Sequence, residues 1–350
     1  MEYIKLGDIC DIKAGGTPLR SKKSYWEEGD IPWIKISDIS GKYTNSSSEF
    51  ITNEGLENSS AKLLKKGTIL YTIFATLGEV SILNIEATTN QAIVGINHNE
   101  NIDKLYLYYF LKYNKNNICN LGRGVAQNNI NISILKNIDI PLVNIENQKK
   151  IVEVLDKVQE LIDKRKEQIK LLDELVKSRF IEMFGDVIIN DKKYSIKNLE
   201  DITLIITDGT HQTPVYSDSG YIFLSSKNVT SGKINWDDVK YISEELHIEL
   251  NKRLEPKLND ILLAKNGTTG VAALVDRNCV FDIYVSLALI RLNSDINPLF
   301  MLYMINSAGC KFQFNNSLKG IGVPNLHLSS IRKTKVLIPP IELQNEFAEF

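Results

Sequence analysis

The sequence predicts an α+β fold in which two tandem domains of short sheets and helices are joined by one long helix. Three observations carry this: a sustained heptad pattern in the middle of the chain, the same order of short signals on both sides of it, and a length of 350 residues. A chain of that length exceeds what one hydrophobic core usually serves, so two domains are expected. The expected division is 1–145, a spacer helix at 146–185, a second domain at 186–340, and the start of another helix at 341–350.

The spacer is read from Glu146 to Gly185. Apolar and seam positions step by four and three through Ile151, Leu155, Val158, Ile162, Arg165, Ile169, Leu172, Val176, Arg179 and Met183. That is the period of a coiled-coil seam, nearer 3.5 than 3.6 residues. The opposite face alternates in sign (Glu153, Lys157, Glu160, Lys164, Glu167, Lys170, Glu174, Lys177) and reads as solvated. No Pro or Gly interrupts it, and Gly185 supplies a stop in the left-handed conformation. Such a helix is about 55 Å long at 1.5 Å per residue. Leu155, Val158, Ile162, Arg165, Ile169, Leu172 and Val176 form the expected interface stripe.

The flanks repeat one another about 190 to 200 residues apart. Ile4-Lys5-Leu6-Gly7-Asp8-Ile9 answers Ile196-Lys197-Asn198-Leu199-Glu200-Asp201-Ile202. A Gly-Thr turn before a Pro follows in both, Gly16-Thr17-Pro18 and Gly209-Thr210-His211-Gln212-Thr213-Pro214. Strand-like runs come next, Ile31 to Ile39 and Tyr221 to Val229, each ending in a polar tip. Then come Ile69-Leu70-Tyr71 against Ile261-Leu262-Leu263, glycine turns at Gly78 and Gly270, a further strand, and an aromatic-rich helix (Leu105 to Lys112; Pro298 to Ile305). Gly-rich loops run to Asn128 and Asn325, and Pro-containing strands lead to Glu146-Asn147-Gln148 and Glu342-Leu343-Gln344. Single matches of this kind are weak, but their shared order indicates a duplicated domain. The second copy leads into Asn345 to Phe350, where a second spacer helix is expected to begin.

Composition excludes several classes. No apolar run approaches the roughly 18 residues of a membrane span, and the N-terminus begins no signal peptide. Cys10, Cys119, Cys279 and Cys310 have no C-x-x-C spacing, so a disulfide framework or zinc site is not expected and a reducing cytoplasm is. The formal net charge of −2 argues against non-specific coating of nucleic acid. There is no phosphate-binding glycine loop with Lys-Ser/Thr, no i, i+4 histidine pair, and no Asp/Asn-Pro-Pro-aromatic tetrapeptide of the kind that holds a flipped adenine. No active site and no metal are expected.

What remains is recognition. The tips gather the residue types that nucleic-acid readers use. Arg20, Lys22 and Lys23 suit phosphates. Lys35, Ser37 and Asp38 in one half, with Ser225, Lys227 and Asn228 in the other, stand at strand ends that could enter a groove. Thr210 and His211 lie on the second Gly-Thr turn, and Arg123, Gln127 and Asn128 with Lys319 and Asn325 on the Gly-rich loops. Trp33, Trp236, Tyr25 and Tyr216 read as packing residues.

Gly15-Gly16-Thr17-Pro18, then Tyr25-Trp26, then Ile31-Pro32-Trp33-Ile34-Lys35-Ile36-Ser37-Asp38-Ile39 resembles the target recognition domain of type I restriction–modification specificity subunits. Asp208-Gly209-Thr210-His211-Gln212-Thr213-Pro214 followed by Phe223-Leu224-Ser225 looks like the same domain in a second dialect. The family's order of recognition domain, central helix, recognition domain and distal helix is matched in its first three parts. The resemblance implies that each domain reads one half of a bipartite double-stranded DNA site and the helix sets the gap. It implies modification subunits that methylate adenine N6 from S-adenosylmethionine, and restriction subunits that use ATP with Mg. This chain itself is then expected to hold no cofactor. Two other classes stay open on the residues alone: a stand-alone methyltransferase, and a coiled-coil scaffold. A seam with only Ile341 to Phe350 to cover it predicts a second copy packed antiparallel on the central helix, with Glu160, Glu167 and Glu174 facing Arg165 and Arg179.

Overall fold

The computed structural model describes residues 2–121, 129–318 and 324–350. The chain divides into two compact units, Met1–Lys166 and Glu167–Phe350. One continuous helix, Ile145–Phe184, runs through the division, so the spacer is shared between the units and does not stand as a separate body. It stops at Gly185, whose φ of +71° is the left-handed cap expected there.

The first unit holds β1 (Glu2–Lys5), β2 (Cys10–Ala14), β3 (Ile31–Ile34), β4 (Tyr43–Thr44), β5 (Phe50–Ile51), β6 (Ile69–Thr72), β7 (Val80–Leu83), β8 (Thr88–Thr89), β9 (Ile93–His98) and β10 (Asp139–Leu142). They form three sheets, ordered β2-β9-β6-β7-β4, β5-β3-β8 and β1-β10. β6 (Ile-Leu-Tyr-Thr) and β7 (Val-Ser-Ile-Leu) are buried along their whole length, as befits largely apolar strands covered on both faces.

The second unit holds β11 (Ser195–Asn198), β12 (Thr203–Asp208), β13 (Tyr221–Leu224), β14 (Lys240–Ile242), β15 (Ile261–Ala264), β16 (Ala272–Leu274), β17 (Phe281–Ile283), β18 (Leu287–Leu292) and β19 (Lys335–Ile338). Their sheets are β12-β18-β15-β16, β14-β13-β17 and β11-β19. The topology is that of the first unit without the added β4. The mixed sheets, helices and long helix make this the α+β architecture expected.

Register shows the duplication residue by residue. β3 runs parallel to β8 with Trp33 opposite Thr88, and β13 runs parallel to β17 with Phe223 opposite Asp282. Across the glycine turn, the Gly78 N–H donates to the Thr72 carbonyl at 2.9 Å and the Gly270 N–H to the Ala264 carbonyl at 2.8 Å. Within that turn, Ala75 and Gly267 occupy the same left-handed position, with φ of +57° and +75°.

The helices Lys104–Tyr113 and Pro298–Ile305 start alike. Asp103 accepts from the Leu105 and Tyr106 N–H groups, and Asn297 from those of Leu299 and Phe300. The N–H of each cap residue is in turn held by a buried glutamine. Gln148 Oε1 accepts from Asp103 N–H at 2.7 Å, and Gln344 Oε1 accepts from Asn297 N–H at 3.0 Å. Their Nε2 groups donate to the Val143 and Pro339 carbonyls, both at 2.8 Å. Each glutamine thus joins the start of the following helix to the body of its own unit.

The cores are built on those same helices. In the first unit Leu6, Ile69, Tyr71, Val94, Leu107, Leu111 and Ile140 pack with Val152 of the long helix. In the second, Phe180 and Phe184 of the long helix pack with Phe300, Met304 and Phe347. Of the expected seam, Leu155, Val158, Ile162, Arg165, Ile169 and Leu172 are exposed, whereas Val176 and Met183 lean on the second core. Arg179 corrects an expectation: it pairs with Glu182 at 3.0 Å and with Glu346 at 3.2 Å, inside this chain. The reason is the helix Ile341–Glu349, which brings Glu346 and Phe347 to the end of the long helix.

Candidate nucleic-acid interface

Each unit turns its chain at a motif glycine, Gly15 in one and Gly209 in the other, where backbone lies against backbone. Gly15 N–H donates to the Ile93 carbonyl at 3.0 Å, and Gly209 N–H to that of Leu287 at 3.4 Å. A Cβ on Gly15 would lie 2.1 Å from the Asn90 carbonyl oxygen, and one on Gly209 would lie 1.9 Å from that of Ile283. Only glycine fits where backbone meets backbone. The motif glycines therefore serve the turn, and the residues after them are free to differ.

The strand-end tips are built on a shared cap. The Lys35 N–H donates to Asp38 Oδ2 at 2.9 Å, and the Ser225 N–H to Asn228 Oδ1 at 2.9 Å. Asp38 Oδ1 also accepts from Ser48 Oγ at 2.7 Å. Asn228 is buried, and its Nδ2 donates to the Asn235 and Asp238 carbonyls at 3.3 and 2.8 Å. Both side chains hold the tip together, Asn228 from a buried position and Asp38 from a half-buried one. Between the cap residues, Ser37 and Lys227 take the same place and are exposed.

The cations of the first tip are engaged with carboxylates. Glu49 accepts from Lys35 Nζ at 2.6 Å through Oε1 and from Arg20 Nη1 through Oε2. The hydrogen bonds from Arg20 and then Lys35 hold the Glu49 carboxyl below the usual carboxylate range. The Arg20 guanidinium also lies 3.7 Å from the Trp26 ring centre and 4.7 Å from that of Trp33. Trp33 is buried as expected and donates from Nε1 to the Gly16 carbonyl at 2.9 Å. Lys22 pairs with Glu54 at 2.6 Å and donates to Tyr25 Oη at 3.2 Å. Lys23 reaches Glu27 at 3.5 Å.

The second tip keeps one ion pair inside. Lys265 Nζ bonds Asp208 Oδ2, both being nearly buried, and Arg253 Nη2 donates to the Asp208 carbonyl at 2.8 Å. Burial alone would raise the Asp208 carboxyl; the Lys265 bond and charge outweigh it, and the group sits below its ordinary value. Exposed His211 stands 3.4 Å from Asp208 Oδ1, and Thr210 Oγ1 accepts from the Gln212 N–H at 3.3 Å. Asn325 bridges Asn266 through the backbone, and the Oδ1 atoms of both are buried without a partner among the described residues. Arg123, Gln127, Asn128 and Lys319 lie outside the described residues.

Sequence reasoning missed Glu49, Lys265 and the buried pair of His247 with Asp282 (2.7 Å), over which Tyr221 stacks at 3.9 Å. Asp208 stood in the Gly-Thr motif, but its partner lies 57 residues away in the sequence and carries no local signal. Among the described residues no group of three or more His, Cys, Asp or Glu side chains could hold a metal. No helix among them is long and apolar enough to cross a membrane.

A family model described as the type I restriction modification DNA specificity domain matches residues 1–171 and again 192–350, once for each copy of the repeat. The type I restriction enzyme MjaIX specificity subunit of Methanocaldococcus jannaschii is 28% identical across 98% of this chain and 84% of its own. The EcoR124I/EcoR124II specificity subunit of Escherichia coli is 31% identical, over 45% of this chain and 40% of its own. Among solved structures, the S subunit of the type I restriction–modification system from M. genitalium shares the fold. Its TM-score is 0.53 at 17% identity, covering 99% of this chain and 87% of that one. With both halves matched and the two units sharing one register, this chain belongs to the type I restriction–modification DNA specificity family.

Proposed function

We propose that each unit reads one half of a bipartite site on double-stranded DNA, with the helix Ile145–Phe184 setting the gap. One observation supports this reading above the others. The two units share a hydrogen-bond register yet carry different side chains at the equivalent exposed positions, Ser37 in one and Lys227 in the other. A duplicated frame with unlike tips suits two readers of unlike sequence. Phosphate contact falls to Arg20, Lys22, Lys23, Lys35 and Lys227, and base contact to Ser37, Thr210, His211, Ser225 and Asn325. Arg123, Gln127, Asn128 and Lys319 stay assigned to the loops that follow.

Chemistry is assigned to partners. Modification subunits bring S-adenosylmethionine and methylate adenine, and a restriction subunit uses ATP with Mg; this chain supplies specificity alone and works in the cytoplasm. In the first unit, Tyr106, Tyr109, Phe110, Ile151, Leu155, Val158 and Ile162 line an apolar groove of about 380 Å³. Stripes of this kind seldom face water in soluble proteins. A second copy, its central helix antiparallel to this one, is the proposed cover, with modification subunits as the competing one.

The deciding experiment exchanges residues 1–145 for another reader in the assembled methyltransferase and maps the methylated adenines. One half-site should change while the other half and the gap stay. A simultaneous change in both half-sites overturns the two-reader model, and methyl transfer by the purified chain without partners overturns the division of labour. Sedimentation of the chain with a Leu172→Glu control tests the dimer: a monomer indifferent to that change removes it.

A further inference from the structure

One carboxylate in the first unit occupies two of the cations that the proposed function assigns to phosphate. Glu49 immediately precedes β5, and its two oxygens are divided between Arg20 and Lys35. All three side chains are partly open to solvent, so the cluster is a surface feature and not a core ion pair. Arg20 is further fixed by the indole faces of Trp26 and Trp33, which leaves its guanidinium oriented before any ligand arrives. The main-chain carbonyl of Glu49 accepts from Trp33 N–H at 2.9 Å and from Ser47 Oγ at 2.7 Å. These main-chain bonds hold the strand without using the carboxylate, so the side chain is available for another role.

We infer that Glu49 is a specificity-determining residue: it holds Arg20 and Lys35 away from DNA phosphates until a target releases them. The inference rests on the reading of this unit as a DNA reader. A phosphate that takes either cation must leave the Glu49 carboxylate without it, so random DNA gains little from contacting this tip. A carboxylate accepts from N4 of cytosine, and the adenine N6 amine is a donor in the same groove. A base that presents such an amine compensates Glu49 as its cations move to the backbone. Affinity for DNA of any sequence is thereby lowered, and a matching half-site is favoured by contrast. The second tip holds its corresponding positions differently, with Ser225 where Lys35 stands, so the device belongs to the first half-site.

The test uses the full chain, a mixed-sequence DNA duplex, and binding measured across a salt series. Glu49→Gln keeps the shape and removes the charge. It should tighten binding to the mixed duplex about tenfold or more at low salt. It should also steepen the slope of log K against log salt by about one to two, since each phosphate neutralised contributes about 0.9. In selection from a randomised duplex pool the variant should enrich its targets less than wild type. Lys35→Gln gives the control: it should change the salt slope by about one in the Glu49→Gln background and much less in the wild type. Equal effects of Lys35→Gln in both backgrounds overturn the inference about Glu49 while leaving the DNA-reader assignment standing. Absence of any effect of Lys35→Gln, Arg20→Gln or Glu49→Gln on duplex binding overturns both. Circular dichroism of Glu49→Gln matching wild type ensures that the comparison is between folded proteins.

Discussion

The first unit carries an ion-pair cluster on the outside of its tip, and the second keeps one ion pair within. Arg20, Lys35 and Glu49 meet at the surface, whereas Asp208 and Lys265 meet inside the fold. The strand register makes the contrast sharper. Ala14 lies opposite Val94 in β9, and Asp208 lies opposite Ala288 in β18, so Ala14 and Asp208 are equivalent. Ile73 and Lys265 are likewise equivalent, their N–H groups donating to the carbonyls of Ala92 and Ser286, the residues just before β9 and β18. The first unit therefore already shows that this frame closes without an ion pair at these positions. A common backbone tolerates either solution, because the main-chain bonds define the frame and the side chains only have to satisfy one another.

The largest expected effect comes from removing half of that buried pair. Lys265→Met leaves the buried Asp208 charge without its main partner, and should cost about 3–5 kcal/mol of stability. Replacing both members with the first unit's residues, Asp208→Ala with Lys265→Ile, should change stability by only about 1 kcal/mol in either direction. Hydrogen exchange in β12 and β15 of the full chain measures both. Similar losses in the single and double variants would break the comparison.

The pair also sets a pH window. The folded-state carboxyl of Asp208 lies below its unfolded value. Its contribution is complete above an unfolded value of about 3.9 and disappears as pH falls through the folded value. Acid unfolding of the second unit below about pH 4 should accordingly be shallower in the double variant than in the wild type.

The glutamine joints should respond alike in the two units, where the charges do not. Gln148→Ala and Gln344→Ala each leave a cap N–H and the carbonyl of Val143 or Pro339 without a partner, and each should cost about 1–3 kcal/mol. Denaturant unfolding of the two variants checks this. A large loss at one joint and none at the other would mean that the repeat is preserved in form but not in energetics.

The smallest effects lie in the glycine turn. Gly267→Ala meets no neighbouring atom and should lose about 1 kcal/mol or less, because the left-handed strain slightly outweighs the gain from a stiffer unfolded chain. Ala75→Gly should be neutral or slightly stabilising by the same terms reversed. Thermal unfolding of each variant decides, and a clear loss of stability in both would require the two turns to differ in some way other than the residue at this position.

Much of this frame is legible in the sequence because it repeats. Turn glycines, strand patterning and the Gln148 and Gln344 joints recur in one order, and local signals of that kind survive in the chain. The site is less legible because its decisive contacts are tertiary. Glu49 lies 29 residues from Arg20, and nothing in either neighbourhood marks the pairing. Asp38 and Asn228 look like groove contacts by type, and only the fold shows them turned into their own caps. The long helix shows the same limit. Its period of 3.5 identifies residues that share a stripe, but which stripe a core takes depends on neighbours. At its end the second unit takes Phe180 and Phe184, which the heptad reading left out.

The glutamine joints have a consequence for how such a chain can change over generations. Each joint closes the same circuit, cap N–H to glutamine to the carbonyl just past a strand, with the glutamine the fourth residue of its helix. A genetic crossover placed at Gln148 or Gln344 would join segments that carry the same circuit, without a mismatched bond at the seam. A rejoined chain then keeps both helix starts anchored, so a new combination of first and second halves can arise in one recombination event and need not wait for many point substitutions.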